Sequence, residues 1–306
     1  MTRWRVIDAA GGEEAFGPLE PDESKVRVTD PLDSESYVRI AKLIAARADV
    51  QLWIDNRATD LEMLSFFPGL RRLGVTSLRL ASWEGLRHVA GSLSELHMGD
   101  TLRPVSIAPM AQLRSLTALG LHGPVRDVEA IGGLRGVEDL QLRSVTMPDL
   151  TLLLPMSGLR SLLIGLGGTA DLSLLPRLAA LEELELWRIR GMRDVSVLGS
   201  LPRLRRLTLQ SMSAVTHLAS FRDAHGLRRL ALDTMKGITD LRPVAEAPAL
   251  EELLLVSMTH LGPESLRPLV GHPTLRRGVW GFGSTRKNVA AYDLLPLGDP
   301  PYGYPE

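Results

Sequence analysis

Residues 181–209 read LEELELWRIRGMRDVSVLGSLPRLRRLTL, and the phrase LEELEL at 181–186 returns as LRRLTL at 204–209. The leucines keep their offsets while the residues between them switch from acidic to basic, so what is conserved along the chain is an apolar period. Working outward, position 1 of the same phrase falls at Leu70, Leu93, Leu116, Val137, Leu159, Leu181, Leu204, Leu227, Leu250 and Leu275, at spacings of 23, 23, 21, 22, 22, 23, 23, 23 and 25. A weaker copy opens at Asp49, with Leu52 and Ile54 at the matching offsets. Ten or eleven rungs are expected over residues 49–282.

Each rung reads L-x-x-L-x-L, and apolar residues alternating at positions 4 and 6 mark a short strand with one buried face. About sixteen residues remain to bring the chain back to the same edge, too few for a long crossover helix. The strands are therefore expected to be parallel, joined by extended chain, a turn or a single helical turn. Each rung then buries its leucines only against its neighbours.

These rungs resemble the leucine-rich-repeat family in its short, internalin-like subclass. Asp171-Leu172, Asp194-Val195 and Asp240-Leu241 match the Asp-apolar pair of that subclass, and such an aspartate can accept backbone N–H groups and cap a helical turn. The resemblance implies an α/β solenoid: a leucine-rich-repeat horseshoe with a parallel concave sheet, short helical or irregular convex segments and an N-terminal α/β cap. It departs from the family at position 9, where an asparagine ladder is usual. Here that position holds Leu78, Thr101, Pro124, Val145, Gly167, Ile189, Met212, Met235 and Met258, and the only asparagines are Asn56 and Asn288. The hydroxyls of Ser77, Ser144, Ser211, Thr234 and Ser257 at position 8, or backbone bonds alone, are expected to replace the ladder while the methionines fill core volume.

Composition narrows the function. A net charge of −1 gives no bulk attraction to nucleic acid or anionic lipid. With no cysteine there is no disulfide, thiolate metal site or thiol nucleophile. The N-terminal MTRWRVIDAAGGEEAF lacks a signal-peptide core, and no run of about 18 apolar residues occurs. A cytoplasmic location is expected, with no membrane partner.

Both ends of such a stack need covering. Residues 1–48 are read as an N-terminal cap, with strands at Trp4–Ile7 and Val26–Val28 and a loop at GGEEAFGPLEPDES. A helix is expected over about 31–47, N-capped at Asp30, with Leu32, Val38, Ala41, Ile44 and Ala45 facing the first rung. Residues 283–306 are read as a C-terminal cap with an irregular Pro/Gly-rich tail, GDPPYGYPE.

Positions 3, 5 and 7 point outward and form columns on the sheet, about 4.8 Å from rung to rung. Columns 5 and 7 supply the candidate partner-binding residues: Trp53, His97, His122, Gln141, Arg143, Leu163, Glu185, Trp187, Gln210 and Asp233. Trp187 is read either as a contact anchor or as a ring lying on its own sheet over Gly165. At positions 2 and 3, Arg160, Glu182-Glu183, Arg205-Arg206, Arg228-Arg229, Glu251-Glu252 and Arg276-Arg277 set acid beside base in most steps, which favours one register. The one like-charged step leaves a basic quartet, read as a solvated face flanked by glutamates or as a seat for an acidic partner.

No H-E-x-x-H pair, GxSxG elbow, P-loop or dinucleotide turn is present. His97 and His122 sit on adjacent rungs with no evident third metal ligand. The sequence is thus read as a non-catalytic bacterial protein-interaction module, without cofactor, metal or nucleic acid. Its alternatives are an inhibitor or immunity protein that blocks an enzyme, or an accessory subunit of one.

Overall fold

Leucine side chains at positions 4 and 6 leave water together, and the chain must present them on one side of every strand. In the computed structural model, which describes residues 3–167 and 169–298, this is how they stand. Leu184, Leu207, Leu230 and Leu253 are Cα partners in consecutive strands, and each is at most 2% exposed. The position 1 residues from Leu70 to Leu275 are buried as well. At about 25 cal/mol per Å² of apolar surface removed from water, these files are the main source of cohesion between rungs.

The described residues form two compact units, one ending at Val145 and the other beginning at Thr146. In the N-terminal unit, seven strands pair in parallel: β1 (Arg3–Ile7), β2 (Glu23–Val28), β3 (Gln51–Asp55), β4 (Arg72–Thr76), β5 (Glu95–Met98), β7 (Ala118–His122) and β9 (Asp139–Arg143). The short β6 (Val105–Ser106) and β8 (Val125–Arg126) pair separately on the return side. The C-terminal unit has six: β10 (Ser161–Gly165), β11 (Glu183–Trp187), β12 (Arg206–Gln210), β13 (Arg229–Asp233), β14 (Glu252–Val256) and β15 (Arg277–Trp280). Most returns contain a 3₁₀ turn, such as Glu62–Phe66, Leu175–Arg177 and Ser196–Ser200, and one contains the short helix α2 (Arg242–Ala245). Asp171, Asp194 and Asp240 accept the backbone N–H two residues on, at 2.9, 2.8 and 2.9 Å, and so start these returns.

What replaces the asparagine ladder is the main chain. Ser144, Leu166, Arg188, Ser211, Thr234 and Ser257, all at position 8, adopt left-handed conformations with φ between 49° and 59°. That turn aims the N–H of Leu166, Arg188, Ser211 and Thr234 at the carbonyls of Trp187, Gln210, Asp233 and Val256 on the next rung, each at 2.9 Å. The hydroxyl expectation fails for most of its members. Ser77 Oγ donates to the Ala58 carbonyl at 2.7 Å, and Thr234 Oγ1 donates to Asp233 instead. The hydroxyls of Ser144, Ser211 and Ser257 make no hydrogen bond among the described residues. Left-handed backbone swings position 8 off the strand, so its N–H, rather than its side chain, meets the neighbouring rung. Met212, Met235 and Met258 do fill the core, and Met235 N–H lies 3.3 Å from Met258 Sδ.

The N-terminal segment departs from expectation in a way that matters for the outer face. β1 and β2 add two strands to the parallel sheet itself, with Val6, Arg27 and Trp53 in register. Between β2 and β3 runs α1 (Ser34–Ala45), N-capped by Asp33 through the Ser36 N–H at 2.8 Å. The helix does not start after Asp30, whose carboxylate accepts from Ala9 N–H at 3.3 Å instead. Its buried stripe is Tyr37, Ile40 and Ile44, while Val38 and Ala45 are exposed. The Tyr37 ring stacks on Phe66 at 5.7 Å and meets Phe67 edge-on at 6.2 Å, which fixes the rotation of the helix.

The expected loop after β1 contains a 3₁₀ turn at Glu13–Phe16. It is held by Arg5, which donates to the Ala15, Gly17 and Pro18 carbonyls and grips the buried Glu23 with two bonds, at 2.9 and 2.5 Å. At the other end, within the segment read as a C-terminal cap, α3 (Thr285–Leu294) covers the last rung. Lys287 Nζ donates to the Thr259 and Leu261 carbonyls, and Asn288 Oδ1 accepts from Phe282 N–H. Gly298 bridges to Arg277 and occupies the edge beyond β15. The irregular tail expected at GDPPYGYPE lies, beyond Gly298, outside the described residues. Among the described residues, no helix is long and apolar enough to cross a membrane.

Candidate functional site

On the outer face of the N-terminal unit, columns 3 and 5 continue through β1 and β2. Column 3 runs Trp4, Lys25, Gln51, Arg72, Glu95, and column 5 runs Val6, Arg27, Trp53, Gly74, His97, Gly120, Gln141. Glycine alternates with an aromatic ring in column 5, and the spacing has a direct steric meaning. A Cβ on Gly74 would stand 2.1 Å from Trp53 Cε3, so the indole lies on that glycine. A Cβ on Gly120 would stand 2.6 Å from His97 Nδ1, so the imidazole lies on the next one.

The two rings are nearly parallel, at 19° and 6.3 Å between centroids. Trp4 meets Trp53 edge-on at 5.7 Å, and Trp53 Nε1 donates to Thr76 Oγ1 at 3.1 Å. The result is a tiled aromatic platform, bordered by Trp4 and Val6, which keep 38% and 48% of their surface exposed.

Charge around the platform is mostly compensated within the chain. Arg27 Nε donates to Asp55 Oδ2 at 2.7 Å. Glu95 gathers Arg72 Nε at 2.6 Å, His97 Nε2 at 3.0 Å and Gln51 Nε2 at 3.2 Å. Lys25 has no carboxylate partner among the described residues, and its Nζ stands 4.7 Å over Trp4 and 5.8 Å from the Trp53 ring centre. The hydrogen bond from His97, with that from Arg72, outweighs burial and lowers the Glu95 carboxyl from an ordinary 4.5 to about 2.

A carboxyl whose folded value lies below its unfolded one stabilises the fold fully above the unfolded value and loses that effect as pH falls toward the folded one. Between pH 4.5 and 2 the protein should therefore lose on the order of 1–3 kcal/mol from this group. Denaturant titrations at pH 6 and pH 3 should show a smaller loss in Glu95→Gln than in the unaltered chain; equal losses would remove Glu95 from the account.

Among the other sequence candidates of this unit, His122, Gln141 and Arg143 are half-buried on the face. His122 Nε2 lies 3.7 Å from Asp100, so the two histidines turn to different carboxylates. Among the described residues, no group of three or more His, Asp or Glu side chains converges on a metal-sized site.

In the C-terminal unit, Glu185, Trp187, Gln210 and Asp233 are half-buried on the outer face. A Cβ on Gly165 would lie 2.9 Å from Trp187 Cε3, so this indole rests on the glycine of the preceding rung, which is the second of its two sequence readings. Gln210 Nε2 donates to Asp233 Oδ2 at 3.1 Å.

Leu163 does not belong with them. It keeps 9% of its surface, and Ala231 and Leu254 in the same column keep 4% and 1%, so this part of the column is closed off from solvent. The basic quartet is largely paired: Arg206 with Glu183 at 2.7 Å, Arg228 with Glu251 at 3.3 Å and Arg229 with Glu252 at 3.5 Å. This favours the solvated reading, with each exposed pair worth about 0–1 kcal/mol.

Trp4, Val6, Lys25 and Arg27 were missed because β1 and β2 were read as a cap apart from the columns. The signal available was the alternation in Trp4-Arg-Val6 and Lys25-Val-Arg27, which keeps the parity of the rungs.

The fold has counterparts among solved structures. An internalin (InlF) from Listeria monocytogenes aligns over 84% of this chain and 78% of its own, at 19% identity and a TM-score of 0.54. The chain has the leucine-rich-repeat fold. A chain of the Toll–Spatzle complex of Drosophila, described as a hub in development and innate immunity, aligns over 85% of this chain and 33% of its own, at 13% identity and a TM-score of 0.55. No protein-family model and no curated protein matches the sequence. The likeness is one of leucine-rich-repeat architecture.

Proposed function

We propose that this leucine-rich-repeat chain is a non-catalytic protein-interaction module whose partner docks on the concave face, with the Trp53–His97 platform as anchor. The same reading takes residues 1–48 as an N-terminal cap, 49–282 as the repeats and 283–306 as a C-terminal cap, in a cytoplasmic bacterial protein that needs no cofactor. The observation that carries it is the seating of two rings on Gly74 and Gly120. Pinned aromatic side chains lose little rotamer freedom on docking, and tryptophan is the side chain most enriched among interface anchors. Uncompensated Lys25, beside them, supplies directional donors at the rim.

The test is a quantitative affinity capture from the native host with three baits: the unaltered chain, Trp53→Ala with His97→Ala, and Arg177→Glu on a return turn. A partner held by the first and third should fall about tenfold or more with the second, while the melting temperature confirms that the fold persists. Equal capture by all three baits would contradict the reading. Gly74→Ala gives an independent check, since the added Cβ displaces the indole without removing it.

A further inference from the structure

The cap helix α1 is apolar on two sides, and the fold uses only one. Tyr37, Ile40 and Ile44 face the core, but Val38, Ala41 and Ala45 form a second stripe at intervals of three and four residues. Val38 on that stripe is 41% exposed. Opposite it stand Phe66 and Pro68 from the return after β3, and between the two walls lies a half-open groove of about 540 Å³. The groove is separate from the concave face and from everything assigned to it above.

Its rim carries a one-sided charge. Arg47, on the rim, is neutralised by Asp49 at 2.6 Å. Lys42 and Arg71, also on the rim, have no carboxylate partner among the described residues. An occupant that matches this surface brings apolar side chains for the floor and anionic groups for the two cations. The intervals of three and four along α1 are those at which one helix receives the side chains of another, and alanines at two of the positions let a second backbone approach closely.

We propose that this groove is a docking site for an amphipathic helix of a partner protein, seated by apolar residues at i, i+3/i+4 and i+7 and flanked by glutamate or aspartate. Lys42 and Arg71 set its preference for an acidic helix.

The probe is a synthetic fluorescein-labelled peptide of about 20 residues with leucine at the seam positions and glutamate beside them. Its counterpart carries lysine in place of glutamate, and sodium dodecanoate serves as a small anionic amphiphile. Fluorescence anisotropy is read with the full chain, with Lys42→Glu/Arg71→Glu, with Ala45→Arg, and with Trp53→Ala. The acidic peptide should bind the unaltered chain and Trp53→Ala alike, and should lose about tenfold or more in affinity to Ala45→Arg and to the charge-reversed chain. The lysine peptide should show the reverse preference between the unaltered and charge-reversed chains. Equal binding of the two peptides, indifference to charge reversal, or occupation by dodecanoate while neither peptide binds would overturn the proposal. Loss of peptide binding in Trp53→Ala would place the peptide on the concave face and overturn it too.

Discussion

Leu207→Ala should destabilise the protein by about 2–5 kcal/mol, seen as a lower urea midpoint. Leu207 is fully buried between its in-register partners Leu184 and Leu230. Truncation removes apolar contact with both neighbours and leaves a cavity that two taut strands cannot collapse into. Because cohesion in a stacked array passes only from rung to rung, amide exchange protection should fall first in β11 to β13. Thr208→Ala, one residue along and pointing outward, should stay within about 0.5 kcal/mol. A Leu207→Ala cost no larger than that of Thr208→Ala would mean that the leucine files do not hold the rungs together.

The second large effect lies on the return side. Gly199 sits in the Ser196–Ser200 turn, and a Cβ there would stand 2.0 Å from the Ser220 carbonyl oxygen of the next rung. The obstacle is backbone, so it cannot rotate away, and Gly199→Ala should cost about 3 kcal/mol through displacement of the adjacent return. The sign makes the test sharp. Gly91 has nothing within 4 Å of its would-be Cβ, and alanine in such open places stabilises by roughly 0.4–1 kcal/mol through the unfolded chain. Thermal or urea unfolding of the two variants should move in opposite directions, and a stabilised Gly199→Ala would show that the returns pack less closely than described.

The strands were legible because burial writes itself into a period of two, and the period survives even where the facing charges invert, as between Glu183 and Arg206. The caps were harder to read. The helix is capped by Asp33 in place of the expected Asp30, whose carboxylate is taken by a distant group, the Ala9 N–H. The helix α3 carries only a lone N-cap serine, Ser284, with no acid in its first turn, and the Pro/Gly-rich tail beside it overshadows that signal.

The candidate face was half legible. Trp53, His97 and Trp187 stand out by residue type and column. What sequence could not convey is that each ring leans toward a particular neighbouring glycine, a matter of side-chain direction. Leu163 illustrates the converse, since outward parity on a strand does not ensure exposure. At position 8 the sequence left hydroxyls and backbone bonds as alternatives, and the left-handed backbone decides for the second by aiming the N–H at the next carbonyl.

The absence of native cysteine gives a clean route to the central claim, that successive rungs stack in parallel and in register. Arg206 and Arg229 are Cα partners on adjacent strands, at a parallel spacing of about 4.8 Å that admits a disulfide. Gln210 lies four residues further along the same face, roughly 13 Å away by strand rise. Under mild oxidation, Arg206→Cys/Arg229→Cys should cross-link intramolecularly and Gln210→Cys/Arg229→Cys should stay reduced. A bridge in the second pair, with the first remaining reduced, would contradict the stacked arrangement on which the platform and the proposed docking face both rest.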